Sequence, residues 1–491
     1  MGIITREIIN PNTRFYFPTE NDSVTPQKTY QEFVESVEHW KIFLAERCGA
    51  QPGQTCLINM GTTDFWYNTC VFAAFEMGLV LVVDIPHCWR EEDIYSHAVN
   101  LHGKIDIIIQ EDRLLDPELS EHPWDIRRDE HLSDNRVKLS QFHSYQVQDH
   151  DLFGSIAKKY FCCPDGHAIY SSSGGTTKDN KKNIDRHKDI FHMSKRLVDV
   201  LGFKADDRSL HLTSMHHGAS LVYHYLPSLM ACDSNYFYRE QPIANQRSVD
   251  ITVNDKITKI CLYKTDSLVK FIDLLPKIDH NLDLYTLFWI TESTVKIMKD
   301  KNINSITSLF GDTHYGLGFL INQVHQSVNI DTYNPRAFEC PDDFYQLEVR
   351  EDGRLWIKTD VLSKEWYTSD DLFERQGDKW IFNGRSSKFR INYTWIDFEE
   401  LDAASNRFFG PQDATVSIDL ENQKIYLAIW KDNAQAERDF FEFFKEKYPS
   451  LEFPFVLRNH HRSHFLNGRK VDRSRIKYRC RELFVCAKEE K

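Results

Sequence analysis

From residue 29 to residue 109 the chain alternates between two periodicities, and this alternation restricts its folding more than any other feature of the sequence. Thr29 and Glu32 form a capping box, Phe33, Val37, Trp40 and Leu44 recur at helical spacing, and Gly49 supplies a stop. Pro52 and Gly53 then turn the chain into a short apolar run, Cys56 to Asn59. A helix is predicted from about Asp64 to Met77, and Leu79 to Val83 and Ile105 to Ile109 read as buried strands. Apolar runs separated by amphipathic helices predict a largely parallel α/β core. Near the other end, Ile425 to Trp430 reads as a strand and Ala434 to Tyr448 as a helix stopped by Pro449, so a second, smaller α/β unit is expected.

With 491 residues the chain exceeds what one hydrophobic core usually supports, and at least two domains are expected. A net charge of −13 argues against general affinity for nucleic acid or an anionic membrane, so any polyanion must meet a local basic site. The eleven cysteines are scattered and odd in number, without a CxxC pair, and the first residues lack an apolar signal-peptide core. A reducing, cytoplasmic setting is the expectation. Cys162 and Cys163, although adjacent, read as small hydrophobes without chemistry. The most apolar run, Gly78 to Val83, is far shorter than the roughly 20 residues needed to cross a bilayer.

The strongest chemical signal is the polar stretch from Tyr170 to His187, which follows an apolar, strand-like lead-in. Ser173, Gly174 and Gly175 let backbone N–H groups approach an anion, Thr176 and Thr177 add hydroxyl donors, and Lys178, Lys181 and Lys182 add positive charge. Such a loop suits phosphate, and a solvated surface turn is the competing reading.

Four segments in order resemble the AMP-forming acyl-CoA synthetases and their adenylate-forming relatives, which include luciferases and the adenylation domains of peptide synthetases. Ser173 to Thr177 matches the family phosphate loop, with Lys181 on its lysine and His187 on its histidine, while Lys178 and Lys182 replace glycines. Phe310-Gly311-Asp312-Thr313-His314 is similar to the Y-G-x-T-E segment; the resemblance implies that Phe310 stacks on adenine and Thr313 contacts the α-phosphate. His314 replaces the family glutamate that helps hold Mg²⁺, and imidazole is a poor ligand for that cation. Trp366 to Leu372 resembles W-Y-x-T-G-D-L and puts the ribose-binding aspartate on Asp371; a carboxylate, being acceptor-only, suits two hydroxyl donors. Arg385 falls on the family's ribose or phosphate arginine, and Ser387 or Lys388 on its hinge, in a stretch one residue shorter than usual. Asn467 to Arg473 resembles the terminal N-G-K-V-D-R with Arg469 inserted, which makes Lys470 the catalytic lysine. An ammonium there would bridge the two anions that meet when a carboxylate attacks an α-phosphate.

The resemblance implies an α/β fold: a large N-terminal domain of layered mixed sheets, residues 1–385, binding ATP and the acid, and a small mobile C-terminal α+β domain, residues 386–491. It implies catalysis by Lys470 and His187, with ATP, Mg²⁺ and coenzyme A as cofactors and a small carboxylic acid as partner. A free acyl-carrier protein or an amine as acceptor, and a nucleotide-binding protein without turnover, stay open as alternatives. The acyl pocket falls near Ser214 to Ser220, with His216 and His217, and near Trp289 to Thr294. The first segment lacks the aspartate that would hold an α-amino group, and Ile290 and Thr291 replace glycines in the second, so a narrowed pocket is expected. Paired histidines beside a turn are more often structural than gating.

Overall fold

The computed structural model describes residues 2–18, 26–60, 65–83, 105–110, 136–145, 155–156, 159–173, 181–213, 215, 217–238, 244–262, 265–287, 290–312, 316–351, 353–362, 364–385, 388–391, 394–410, 413–419, 424–458, 462, 466–467, 470–471, 476 and 479–480. It forms two compact units, Met1–Ser171 with Lys182–Asn383, and Ser172–Lys181 with Gly384–Lys491. Gly384, at the division, has φ of +111°, a value that L side chains rarely adopt.

The predicted alternation is present. The capping box at Thr29 opens the helix Tyr30–Cys48, and Gly49 closes it in the left-handed conformation. Thr55–Asn59, Val80–Val82 and Ile107–Gln110 are strands, and Phe65–Glu76 is the intervening helix. They belong to a six-stranded sheet that also holds Arg136–Lys138, His167–Ser173 and Lys181–Arg186. A second sheet of eight strands runs from Gly316–His325 through Ser305–Asp312, Asp283–Thr286, Lys259–Cys261, Arg208–His211, Ser234–Phe237 and Arg14–Tyr16 to Gln27–Thr29. Its interior pairings are parallel and both of its edges are antiparallel, so the core is mixed at its rims.

One continuous apolar core joins both sheets through the helices between them: Phe15, Phe237 and Leu309 from the second sheet pack in the same cluster as Ile58, Leu81 and Ile169 from the first. The opposite face of the eight-stranded sheet has its own core, with Leu210, Tyr236 and Leu284 under helices Gln246–Asn254, Thr265–Leu274 and Glu292–Asp300. A five-stranded sheet follows, ordered Ala337–Phe338, Lys379–Arg385, Lys364–Gln376, Arg354–Thr359 and Gln346–Val349. In the C-terminal unit, Ala414–Asp419, Lys424–Ile429 and Phe455–Leu457 form a sheet covered by helices Phe398–Phe409 and Ala434–Lys447. No helix among the described residues is long and apolar enough to cross a membrane.

A buried ion pair fastens the N-terminal segment. Lys41 Nζ lies 2.9 Å from Glu76 Oε2, both side chains at most 3 % exposed, and Glu76 Oε1 accepts the Thr5 N–H at 2.9 Å. The Lys41 ammonium also sits 4.7 Å from the centre of the Tyr160 ring. Removing one partner strands a buried charge, so Glu76→Leu is expected to cost about 3–5 kcal/mol in urea unfolding, and Lys41→Met/Glu76→Leu distinctly less. A single variant no less stable than the double would show that the pair is not coupled.

Candidate functional site

The stretch from Lys181 to Arg186 is a strand rather than part of a loop, which corrects the reading of 170–187 as one polar loop. K-K-N-I-D-R shows no apolar alternation because the strand lies at the edge of its sheet, where backbone pairing suffices. The phosphate-loop candidates therefore join two neighbouring strands: Ser173 ends the first, Lys181 begins the second, and Gly174, Gly175, Thr176 and Thr177 lie outside the described residues.

The second arm is moored at its far end. Arg186 Nε is 2.9 Å from Asp189 Oδ2, and its Nη2 donates to the Leu362 carbonyl at 3.0 Å, just before the strand that carries Asp371. His187 opens the helix His187–Val200, fully buried against the edge of Phe75, and its Nδ1 accepts the Ile3 N–H at 3.4 Å. Burial lowers its pKa to about 4. This is a packed, neutral ring at a helix start.

The same helix reaches the second motif through a residue that no local sequence signal marks. Arg196 Nη2 donates to the Gly318 carbonyl at 2.7 Å, its Nε lies 2.6 Å from Asp342 Oδ2, and its guanidinium stacks 4.9 Å from the centre of Tyr345. Phe310, Gly311 and Asp312 end the strand Ser305–Asp312, with a register shift between Phe310 and Gly311; Thr313 and His314 are outside the described residues. The partly buried Phe310 ring is held by Phe319, Phe338, Phe373 and Phe382, with centroids 5.2 to 5.8 Å away. Phe373 stands two residues after Asp371 in Lys364–Gln376, so the second and third motifs converge. Asp371 is itself only 2 % exposed.

The strand that follows Phe310 depends on glycine. Gly316 has φ of +89°, and a Cβ there would lie 2.7 Å from Tyr223 Oη and 2.8 Å from Met193 Sδ. Gly316→Ala is expected to cost about 2–4 kcal/mol from the left-handed backbone and the overpacking together. Thermal unfolding in a Tyr223→Phe background should recover part of that loss; no recovery would assign the cost to the backbone alone.

Among the expected pocket residues, His217 is exposed and its Nδ1 accepts the Ala219 N–H at 3.2 Å, a helix-capping contact. Ile290 is buried in the core beneath the eight-stranded sheet and Thr291 caps Glu292–Asp300, so their bulk fills the protein interior and a helix start, which corrects the reading that they narrow a pocket. His216 and Trp289 lie outside the described residues. Arg385 ends one strand and Lys388 begins the next, with Ser387 outside the described residues. In the C-terminal unit Lys470 pairs with Asn467 across a hairpin, so Gly468 and the inserted Arg469 are the two intervening residues.

Solved structures of similar architecture cover nearly the whole chain. A McyG A-PCP structure complexed with phenylalanyl-adenylate matches with a TM-score of 0.64 at 14 % identity, over 100 % of this chain and 85 % of that one. The o-succinylbenzoate coenzyme A synthetase MenE from Bacillus subtilis, in complex with AMP, matches with a TM-score of 0.64 at 14 % identity, over 96 % of this chain and 97 % of that one. The chain has the adenylate-forming fold. The anthranilate CoA ligase AuaEII in complex with anthranoyl-AMP adds a third instance, with a TM-score of 0.60 at 13 % identity over 97 % and 96 % of the two chains. No protein-family profile matches the sequence, and the comparison with curated proteins gives no match either, so it is an adenylate-forming fold carried by a divergent sequence.

Proposed function

We propose that this protein uses ATP to activate a carboxylic acid as its acyl-adenylate and then transfers the acyl group to a thiol, with coenzyme A as the acceptor. The observation that supports this reading is a set of three contacts near the motif segments: Arg186, at the far end of the strand that Lys181 begins, donates to the Leu362 carbonyl just before the Asp371 strand, Arg196 ties the following helix to the Gly316–His325 strand, and Phe310 packs on Phe373.

In the first step a carboxylate oxygen forms a bond to the α-phosphorus and the α–β phosphoanhydride breaks, releasing pyrophosphate. Asp371 accepts the ribose hydroxyls, the Ser173 to Thr177 loop and Lys181 hold the phosphates, Arg385 contacts ribose or phosphate, and Lys470 neutralises the meeting anions. In the second step a thiol sulfur attacks the acyl carbon, losing its proton as AMP departs. Rotation about Ser387 or Lys388 at the small domain, residues 386–491, would exchange the two steps. Magnesium would enter with the nucleotide phosphates. His314 stands where the family has a glutamate, and an imidazole suits this oxygen-seeking cation poorly.

Carboxylate-dependent ATP–pyrophosphate exchange across short, aromatic, fatty and amino acids tests the first step. Exchange with at least one acid is the expected result, and ATP binding without exchange for any acid, in Mg²⁺ or Mn²⁺, would leave a nucleotide-binding protein without turnover. A carrier-protein thiol is the second reading, favoured by the A-PCP structure among the neighbours. Coenzyme A consumption that matches pyrophosphate release would exclude it.

A further inference from the structure

The N-terminal ends of the parallel strands carry a feature that the nucleotide site does not use. Arg14 begins its strand opposite Ser234, and Ser234 begins its strand opposite Arg208, so the two arginines and the serine form one row across three neighbouring strands. Thr29 extends the row on the other side of Arg14. Residues in register on parallel strands project to the same face. The next row on that face confirms it, because Tyr16 and Tyr236 stack there with ring centroids 4.3 Å apart. Both arginines line a cleft of about 630 Å³ with Asn12, Tyr16, Tyr30 and Asp233. The row lies at the beginning of its strands, whereas Phe310 to Asp312 lie at the end of theirs, so the cleft and the nucleotide site occupy opposite ends of the same sheet.

The electrostatics of the cleft run against the rest of the molecule. The protein carries a net charge of −13, yet this concavity presents two guanidinium groups whose Cα atoms are roughly 10 Å apart, two strand spacings. Arg14 is exposed and forms no ion pair with a described residue. Arg208 spends one donor on the Asp255 carbonyl at 2.5 Å. The cleft's own carboxylate, Asp233, accepts from Asn10 Nδ2 at 2.8 Å and keeps its charge, and the Asp255 carboxylate also acts on Arg208, so Arg14 is the less compensated of the two cations. Glu32, at the nearby helix start, is occupied by Lys28 at 2.9 Å and by the Thr29 N–H at 2.8 Å. The first turn of the helix Tyr30–Cys48, which contributes Tyr30 and Gln31 to the cleft, adds the partial positive charge of a helix N-terminus.

We propose that this cleft binds a small anion bearing more than one phosphate charge, gripped between Arg14 and Arg208, at a site separate from the one where ATP is activated. Two planar forks that approach from strands two spacings apart suit the tetrahedral oxygens of linked phosphates, and the intervening Ser234 offers a hydroxyl donor. A single carboxylate would satisfy only one fork.

Calorimetric titration with inorganic pyrophosphate, on the full chain with AMP present in excess, tests the site. The expected result is a binding event that weakens at least about tenfold in Arg14→Gln/Arg208→Gln, as for loss of charge-assisted contacts, and is unchanged in Lys181→Ala, which removes a phosphate-holding cation of the nucleotide site. Equal affinity in the parent and the arginine double variant would overturn the proposal, as would loss of the event in Lys181→Ala, which would place pyrophosphate in the nucleotide site. Citrate binding as tightly as pyrophosphate would overturn the assignment to phosphates. Should Arg208→Gln fail to fold because the Asp255 carbonyl loses its donor, the exposed Arg14→Gln variant carries the same test. The outcome is independent of adenylate formation, because pyrophosphate binding is read directly and not through turnover.

Discussion

Lys470→Ala is expected to lower carboxylate-dependent ATP–pyrophosphate exchange by about 10²–10³-fold while leaving ATP affinity within about threefold, the pattern of a group whose contribution appears in the transition state. The reason is electrostatic. Attack of a carboxylate on an α-phosphate concentrates negative charge between two anions, and a bridging ammonium offsets that charge only while the bond is forming. In the proposed mechanism the ground-state complex draws most of its affinity elsewhere, from the loop at Ser173 to Thr177 and from the buried Asp371 carboxylate. Asp371→Asn should therefore give the complementary result, a raised KM for ATP with a smaller change in kcat, since an amide presents only one acceptor oxygen. Exchange and KM can be measured in the same assay. Undiminished exchange in Lys470→Ala would remove the lysine from the mechanism.

Acid is expected to destabilise the folded chain well before its carboxylates titrate. His211 and His224 are buried with ring centroids 4.4 Å apart. Ser228 Oγ donates to the Tyr225 carbonyl at 2.8 Å, which leaves its oxygen to accept from His211 Nε2 at 3.1 Å; Asn235 Oδ1 accepts from the same nitrogen at 3.2 Å. Ser209 Oγ lies 3.1 Å from His224 Nε2, and His224 Nδ1 has no hydrogen-bond partner among the described residues. Burial pushes His211 down to about 4 from the usual 6.5, despite the Asn235 contact that favours the charged ring. Burial, followed by repulsion from His211, lowers His224 well below its usual value. With His187 also lowered to about 4, three rings remain neutral in the folded state where the unfolded chain binds a proton to each.

The sign follows from that difference. Above about pH 7 no proton is taken up on unfolding and the full stability is present. As pH falls from 6.5 toward 4, each ring costs about 1.4 kcal/mol per pH unit, so the three together remove several kcal/mol, a large share of the 5–15 kcal/mol typical of a folded protein. Urea unfolding at pH 7.5, 6.5, 5.5 and 4.5 should show this loss, and His211→Gln should flatten the slope by about one proton. A stability that stays level down to pH 4.5 would mean that these rings are not excluded from water.

The helix from Tyr30, the strands around Cys56 and Val80, and the C-terminal helix from Ala434 were legible because each carries its signal locally, as a cap, a period or a stop. The strand Lys181–Arg186 was not, because an edge strand can be polar on both faces. The burial of His187 was not legible for a related reason: a motif position names a residue but not its exposure, and only the packing of Phe75 and Ile3 around it decides that the ring stays neutral. Arg186 and Arg196 escaped notice because their partners are 176 and 122 residues away in the chain.

By itself, the sequence determined the alternation of helices and strands and the chemical type of each candidate group, since periodicity, capping and side-chain chemistry are properties of neighbouring residues. The tertiary structure alone decided which of those groups meet. It set Phe310 against Phe373 beside Asp371, closed Tyr223 onto Gly316, buried His187, and aligned Arg14 with Arg208 across three strands. Those relations depend on strand register and on the packing of segments far apart in the chain, and no local pattern of residues encodes either one.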